Sequence, residues 1–561
     1  MGRKTGYPSK DKDHLKGIGF AKRHPFVIPL SMFFAFRLFN LFHRNGVAIE
    51  YNGDKITRKQ IRKDSLKLIK SLKSLGIKSG QKIVIVTPNT YEGIILNFAA
   101  NAIGIITVFL NHTETVENIT TEIIAHNAPL LIIYGNDEKY AREIQARAQS
   151  LEYIIYIETN DEKYKQPAQR EPEDYFSFKS FLALADNYRK STFFSRLRFV
   201  FNKKETIYLQ TSGSTGKSKT MPFTNKNIFA SLMYCSNSTD IKVHDKVYSR
   251  CLCVMPYRLP YGWAMIFLNL MGGQTVIIPS GTSPKEIGEY YKLRPNVIYG
   301  TPTLLRGMID NTPADADLSS LRIFFSGGFL LPLRWHEESM EFFWRHGVHP
   351  QICNDYGIGE GLCIGTTSKG TTYYHSTVGR FFVGPKWLIV DENLKEVKYD
   401  EPGEIVVSSK SLCKYYYGNI KATKSSFVKI KGKTYYRTSD FASIDHDGII
   451  SFIGRKKRFY LPLGAPEKVY CASIENIIMN SGLVKSCAVV PREDKEKAMV
   501  GYAFVTLKNK DDQDAAVKEL REYLKTRLLE YQMPKEITPL DKLPVLSSGK
   551  PDYVSLQNLN L

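Results

Sequence analysis

The stretch Tyr208-Leu-Gln-Thr-Ser-Gly-Ser-Thr-Gly-Lys-Ser-Lys219 concentrates groups that bind an anion. Between Thr211 and Lys219 stand the hydroxyls of Thr211, Ser212, Ser214 and Thr215, the glycines Gly213 and Gly216, and the lysines Lys217 and Lys219. Glycines let successive backbone N–H groups turn toward one point, hydroxyls add donors, and lysines neutralise charge, so the chemistry is phosphate binding. Gly216-Lys-Ser218 could end a GxxxxGK[ST] loop. The first glycine of that pattern falls on Thr211, which argues against a P-loop nucleoside triphosphatase.

The elements that must hold this loop read as an α/β fold. An apolar strand leads into it and a helix starts near Asn225. Ile83-Val-Ile-Val86 is wholly apolar and ends in Thr-Pro-Asn, which predicts a buried parallel strand followed by a helix near 91–103. Ile105–Leu110, Leu130–Tyr134 and Tyr153–Ile157 repeat the strand signal. Thr57–Leu75 has apolar residues at 61, 68, 72 and 75 before Gly76, with lysines and arginines between, as an amphipathic helix requires. Residues 159–176 read as a surface loop. Strand–helix alternation predicts parallel sheets covered by helices, with a ligand crevice at the carboxyl ends of the strands. Past about residue 400 short strands and turns replace the alternation, and a long helix is expected near 512–531. The expected organisation is a basic and apolar N-terminal extension over 1–45, a large domain with a small β-rich subdomain over 46–455, and a small, mobile α+β domain over 456–561.

A chain of 561 residues is too long for one hydrophobic core. With 43% apolar and 24% charged residues it is neither collagen-like nor mainly disordered. Eight cysteines without CxxC spacing are expected to be reduced thiols, as in a cytoplasmic protein. The net charge of +21 attracts anions, whether phosphorylated cofactors, anionic lipid or an acidic partner. Lysine and arginine are spread along the chain, and no zinc finger or RNA-binding aromatic motif occurs, so no nucleic-acid partner is expected. Near the N-terminus, Pro25–Phe36 is apolar but broken by Arg37, too short to span a bilayer, and followed by no cleavage site. It is read either as a helix packed on the protein itself or as part of a peripheral membrane contact through residues 1–40.

Thr211–Lys219 resembles the signature loop of the adenylate-forming superfamily: acyl- and aryl-CoA synthetases, peptide-synthetase adenylation domains and luciferases. Four further segments resemble that family's motifs in the same order: Asn354-Asp-Tyr-Gly-Ile-Gly-Glu360, Tyr436-Arg-Thr-Ser-Asp440, Asp447-Gly-Ile-Ile-Ser-Phe-Ile-Gly-Arg455 and Leu543-Pro-Val-Leu-Ser-Ser-Gly-Lys550. The resemblance runs from about residue 46 to 553. It implies attack of a carboxylate on the α-phosphate of ATP, giving an acyl-adenylate and pyrophosphate, and then passage of the acyl group to a thiol. That thiol is coenzyme A or, alternatively, the phosphopantetheine of an acidic carrier protein; a non-catalytic nucleotide-binding relative is the other alternative.

The resemblance also implies residue roles. Thr211, Ser212, Gly213, Ser214, Thr215, Gly216 and Lys219 would hold phosphates, with Thr215 among the catalytic groups. Lys550 would bridge the carboxylate and the α-phosphate. Glu360 would bind Mg2+. Gly327 and Gly328 would border adenine, Tyr356 would stack on it between Asp355 and Gly357, Asp440 would accept from the ribose hydroxyls, and Arg455 would sit by ribose or phosphate. Lys457 would be the hinge between domains.

The chain departs from the family pattern at several points. Leu259 stands where many members have histidine, and Gly359 replaces a threonine. Gly464–Glu475 is about two residues longer than usual, and Tyr460-Leu-Pro-Leu463 lacks the lysine that often precedes the glycine. No Asp occurs between 246 and 309, which disfavours amino-acid substrates. Tyr257, Leu259, Gly262 and Trp263 are expected to line a pocket for a small carboxylic acid, aryl or fatty acyl.

Overall fold

The computed structural model describes residues 5–11, 31–159, 174–188, 204–211, 218–242, 244–279, 281–371, 373, 376–456, 458–463, 465–466, 468–494, 498–509, 511–546 and 550–559. Its larger part is built on two seven-stranded sheets. In the first, Tyr175–Ser177, Tyr153–Ile157, Leu130–Tyr134, Lys82–Val86, Ile106–Leu110 and Glu205–Gln210 lie parallel in that spatial order, and Thr220–Thr224 closes the edge antiparallel. In the second, the order is Gln351–Asn354, Ile323–Ser326, Val297–Gly300, Arg250–Cys253, Thr275–Ile278 and Val47–Tyr51, all parallel, with Asp54–Thr57 antiparallel at the edge. The apolar runs behave as sheet-centre strands: Ile83, Val84, Ile85 and Val86 are buried on both faces.

Helices fill the space between the sheets. Tyr91–Ile103 starts at the Thr90 N-cap, ends at Gly104 in the left-handed region, and is buried from Gly93 to Ile103. It is buried on every side and presents no solvent face, and its polar Asn97 and Asn101 are hydrogen-bonded inside the protein. It meets Pro260–Gly272 through Phe98 and Phe267, ring centroids 5.5 Å apart. One hydrophobic cluster joins the inner faces of both sheets through these helices. Arg58–Ser74, capped by Thr57, shows the amphipathic pattern, burying Ile61, Leu68, Ile69 and Leu72.

From Ser31 the N-terminal segment belongs to this core. Ser31 caps the helix Met32–Phe39, and Met32, Phe33, Ala35 and Phe36 are buried, with Phe36 5.0 Å from Phe98. Residues 12–30 of the apolar and basic segment lie outside the described residues. No helix among the described residues is long and apolar enough to cross a membrane. All eight cysteines are unpaired thiols.

The β-rich part is a sheet of Lys386–Val390, Gly403–Ser408, Lys433–Ile444 and Phe427–Ile430, with Ile450–Arg455 pairing to Lys433–Ile444. The C-terminal part pairs Val484–Asp494 with Ala498–Leu507 antiparallel and Glu536–Pro539 parallel, covered by Cys471–Asn480, Gln513–Lys525 and Tyr553–Gln557. The helix expected over 512–531 stops at Lys525. There the chain unwinds, Leu528 turns inward, and a 3-10 turn over Glu530–Gln532 follows.

Candidate active site

The parallel strands of the second sheet end together at one crevice. Val297–Gly300, Ile323–Ser326 and Gln351–Asn354 are in register, so Thr301, Gly327–Gly328 and Asp355–Tyr356 emerge side by side. Gly327 N donates to Gly300 O (3.0 Å) and Asp355 N to Ser326 O (2.8 Å), carrying the ladder past the strand ends. Gly328 takes φ +98°, which a side chain rarely adopts. Asn354 locks the turn: its Oδ1 accepts from Leu331 N (3.0 Å) and its Nδ2 donates to Thr377 O (2.8 Å). These residues line a cavity of about 1650 Å³.

The phosphate-type loop sits on a hairpin. Gln210 pairs with Thr220 across antiparallel strands. Thr211 and Lys219 then clasp the loop base: Thr211 N donates to Lys219 O, and Lys219 N to Thr211 Oγ1, both at 3.0 Å. The strand before the loop and the helix from Asn225 stand as expected, with one element the sequence reading did not include. A strand, Thr220–Thr224, stands between the loop and the helix Asn225–Thr239. It carries Pro222, which an edge strand tolerates because it can leave an N–H unpaired. Ser212, Gly213, Ser214, Thr215 and Gly216 lie outside the described residues, as does Lys457.

Lys219 and Glu360 meet at Tyr416. Lys219 Nζ stands 4.6 Å from the Tyr416 ring centroid, and Tyr416 Oη donates to Glu360 Oε1 at 2.6 Å. Tyr436 Oη is 3.4 Å from Tyr416 Oη. Burial, then the Glu360 charge, pushes both tyrosine hydroxyls up, so they stay protonated as donors. Glu360 sits on the 3-10 turn Gly359–Gly361. Gly359 fits under Pro260, where an added methyl would stand 3.2 Å from Pro260 Cγ.

Asp440 and Arg455 are paired by strand register. Arg455 Nε donates to Asp440 Oδ1 (2.7 Å), and Tyr356 Oη donates to Asp440 Oδ2 (2.8 Å). The Asp440 charge holds the Arg455 guanidinium above its usual range, and burial followed by Asp440 does the same for Tyr356. Each carboxylate oxygen keeps acceptor capacity for a further donor.

Lys550 enters from the C-terminal part. Leu546 N donates to Lys550 O (2.8 Å) and Asp552 N to Pro544 O (2.8 Å), and Leu543 anchors the turn in a cluster with Ala488, Val490, Phe504 and Leu556. The side chain passes Gly328, whose added methyl would lie 3.7 Å from Lys550 Cε. Burial, with the Arg455 charge behind it, pushes the Lys550 ammonium down to about 8. Asp355 moves the other way. Burial raises its carboxyl to about 7, although Ser368 donates to Oδ1 through N (2.8 Å) and Oγ (3.0 Å).

Thus Thr211, Lys219, Gly327, Gly328, Asp355, Tyr356, Gly357, Glu360, Asp440, Arg455 and Lys550 all border one cavity. Of the expected acid-pocket residues only Leu259 does. Tyr257 is buried against Phe109 and hydrogen-bonds Thr87. Trp263 stacks on Phe267, centroids 4.7 Å apart. Gly262 packs on backbone, where a methyl would stand 2.3 Å from Met255 O and Pro256 O. Helical phase explains the correction: Tyr261, Met265 and Leu268 face the cavity, while Trp263, Phe267 and Leu270 face the core. Tyr261 and Tyr416 are site residues without a sequence signal of their own.

A cleft with cationic, carboxylate and glycine-bordered walls, entered by a lysine from a second part of the chain, agrees with what comparison with known proteins shows, an ATP-dependent, AMP-forming ligase. The chain belongs to the AMP-binding enzyme family: that family's model matches residues 40–417, and the model of the AMP-binding enzyme C-terminal domain matches residues 473–550. Curated relatives include a feruloyl-CoA synthase of Amycolatopsis, 24% identical over 90% of this chain and 94% of the relative, and an acyl-CoA ligase of Ajellomyces capsulatus, 24% identical over 92% and 88%. In fold it is similar to an anthranilate CoA ligase in complex with anthranoyl-AMP (TM-score 0.82, 19% identity, 95% and 97% of the chains). A benzoate CoA ligase from Burkholderia xenovorans is also similar (0.75, 21%, 94% and 100%).

Proposed function

We propose that the protein joins a carboxylic acid to coenzyme A in two steps: acid and ATP give an acyl-adenylate and pyrophosphate, and the coenzyme A thiol then displaces AMP. The observation that carries this reading is Lys550, half-buried in the cavity beside Gly328 and near the Asp440–Arg455 pair, where two anions must meet. Carboxylate and triphosphate repel, so fixed positive charge and positioning do most of the work in the first step. Lys550 neutralises the approaching oxygens, Lys219 and the loop after Thr211 take phosphate charge, and Asp440 takes the ribose.

The donor set also suits Mg2+. This hard cation takes one or two carboxylates and completes its shell with phosphate oxygens, and Glu360 offers one carboxylate facing the cavity. Bound with ATP, the ion would add to charge neutralisation. Coenzyme A, rather than a carrier protein, is supported as acceptor by the CoA ligases among the relatives. The C-terminal part meets the rest through polar contacts such as Arg334 N to Asn480 Oδ1 (3.2 Å) and Lys468 to Glu392 (2.8 Å), and one apolar cluster contains residues of both, Trp335 and Phe343 with Ile474 and Met479. Rotation about residues near Lys457 between the two steps would have to part both kinds of contact.

The acceptor is tested by supplying acid and Mg·ATP with either coenzyme A or a phosphopantetheinylated carrier protein and following thioester formation by mass spectrometry. Acyl-CoA is expected; thioester only on the carrier would reverse the assignment.

A further inference from the structure

The cavity has an apolar arm that the adenylation chemistry does not use. Along Asn225–Thr239, the residues facing it are Phe229, Leu232, Met233, Ser236 and Thr239. Along Pro260–Gly272 they are Tyr261, Met265, Leu268, Asn269 and Gly272. Both series follow the three-and-four spacing of one helix face, so two helices wall a common groove. The Tyr261 end lies at the chemistry: its ring stands 3.7 Å from the position of a methyl on Gly327, and its hydroxyl is spent on Gly300 O (3.3 Å) and Phe325 O (3.2 Å). The other end reaches Phe39, Gln274 and the exposed Lys242.

From Tyr261 to Gly272 is eleven residues, or ~16 Å of helix. An extended chain covers ~3.6 Å per three bonds, so the arm accommodates roughly 13 bonds of straight chain. A one-ring acid would occupy only the part beside Tyr261 and Met265. It would leave the space between Leu268, Phe229 and Phe39 unfilled, forfeiting the apolar contacts a longer chain makes there. The polar groups at the far end already donate to backbone carbonyls: Ser236 Oγ to Ile241 O, Thr239 Oγ1 to Cys235 O, and Gln274 Nε2 to Lys242 O. These satisfied groups leave the lining between Leu268 and Phe39 suited to a methyl end, with the exposed Lys242 beyond it.

We propose that the acid is a straight-chain aliphatic acid of about 12–14 carbons, an inference that rests on the ligase reading and narrows its substrate. The chain lies between the two helices with its carboxylate at Lys550 and its methyl end toward Phe39.

The test uses the full-length protein with two readouts. Pyrophosphate release is followed over straight-chain acids of four to eighteen carbons, benzoate and ferulate; binding of the same acids is followed by calorimetry. The expected kcat/KM rises roughly three- to fourfold with each added CH2 to a maximum at 12–14 carbons. Leu268→Trp, which plugs the arm ~10 Å from Tyr261, is expected to move the maximum to about eight carbons, and Leu268→Phe to move it less. Turnover that is greatest with benzoate, ferulate or short acids would overturn the inference and leave the ligase reading standing. Tight binding of dodecanoate over benzoate without turnover of any acid would support the pocket assignment and overturn the ligase reading. Equal binding of all acids without turnover would overturn both, and a maximum unmoved in both Leu268 variants would overturn the placement.

Discussion

The ammonium of Lys219 rests on the face of Tyr416, 4.6 Å from the ring centroid, and forms no ion pair with a carboxylate among the described residues. A cation held by a π face keeps its net charge available, whereas one paired with a carboxylate is neutralised. The same tyrosine donates to Glu360, so one side chain stands between a cation and an anion beside the Thr211–Lys219 clasp. Tyr416→Ala is expected to raise KM for ATP roughly 3- to 30-fold, the equivalent of the ~0.5–2 kcal/mol of a cation–π contact. Tyr416→Phe should raise it less. Steady-state kinetics with ATP varied checks both, and an unchanged KM in the alanine variant would remove Tyr416 from the site.

Lys550 gives a pH signature with a definite sign. Its ammonium is lowered to about 8, so the group is charged below that pH and neutral above it. Chemistry that needs the charge is lost as pH rises. The kcat/KM for ATP, which reports the free enzyme, should therefore fall through about pH 8, while kcat falls at higher pH because bound phosphate favours the ammonium. Lys550→Arg should lack the alkaline limb in whatever activity remains. A pH–rate series from 6 to 10 on both proteins checks this.

Asp355 supplies a stability test with the opposite proton bookkeeping. Its carboxyl is raised to about 7 in the folded protein against about 3.9 in an unfolded chain. The folded state thus binds more protons between those values, and stability contributed by this group is lost as pH rises from about 4 to 7. Asp355→Asn keeps an acceptor for the two Ser368 bonds without the charge. It is expected to unfold later than the native protein at pH 8, by on the order of 2 kcal/mol, and to show no gain near pH 4. Denaturant melts at the two pH values check the difference.

Trp263 and Tyr261 lie two residues apart on one helix and face opposite ways. Trp263→Ala should open a core cavity and cost about 3–5 kcal/mol of stability without altering the ranking of acids. Tyr261→Ala should change that ranking, because the ring borders the cavity at Gly327. Thermal melts together with an acid panel on both variants check the separation.

Much of the architecture was legible because its signals are local. Lys82–Val86 and Tyr91–Ile103 announce themselves by an unbroken apolar run and by a Thr cap with a Gly stop. Thr220–Thr224 was not legible: a proline between Met221 and Phe223 reads as a breaker unless the strand is known to be an edge. Pro260–Gly272 is apolar on every side, so periodicity could not tell its cavity face from its core face, and Trp263 was assigned to the wrong one. The motif residues Glu360, Asp440, Arg455 and Lys550 were found by order along the chain. What joins them is long-range: the register opposing Asp440 to Arg455, and Tyr416 arriving 56 residues after Glu360. Tyr416 sits in the run Tyr415-Tyr-Tyr417, which carries no periodicity to single it out.

The central claim is that Lys550 and the strand-end crevice activate a carboxylate with ATP. The most direct measurement is acid-dependent pyrophosphate release from Mg·ATP, for the native protein and Lys550→Ala, with ATP binding followed by calorimetry on both. The account predicts release that depends on the acid, falls by about 10²-fold or more in Lys550→Ala as for loss of a group acting in the transition state, and leaves ATP binding within a few-fold of native. Release at the native rate from Lys550→Ala would contradict it.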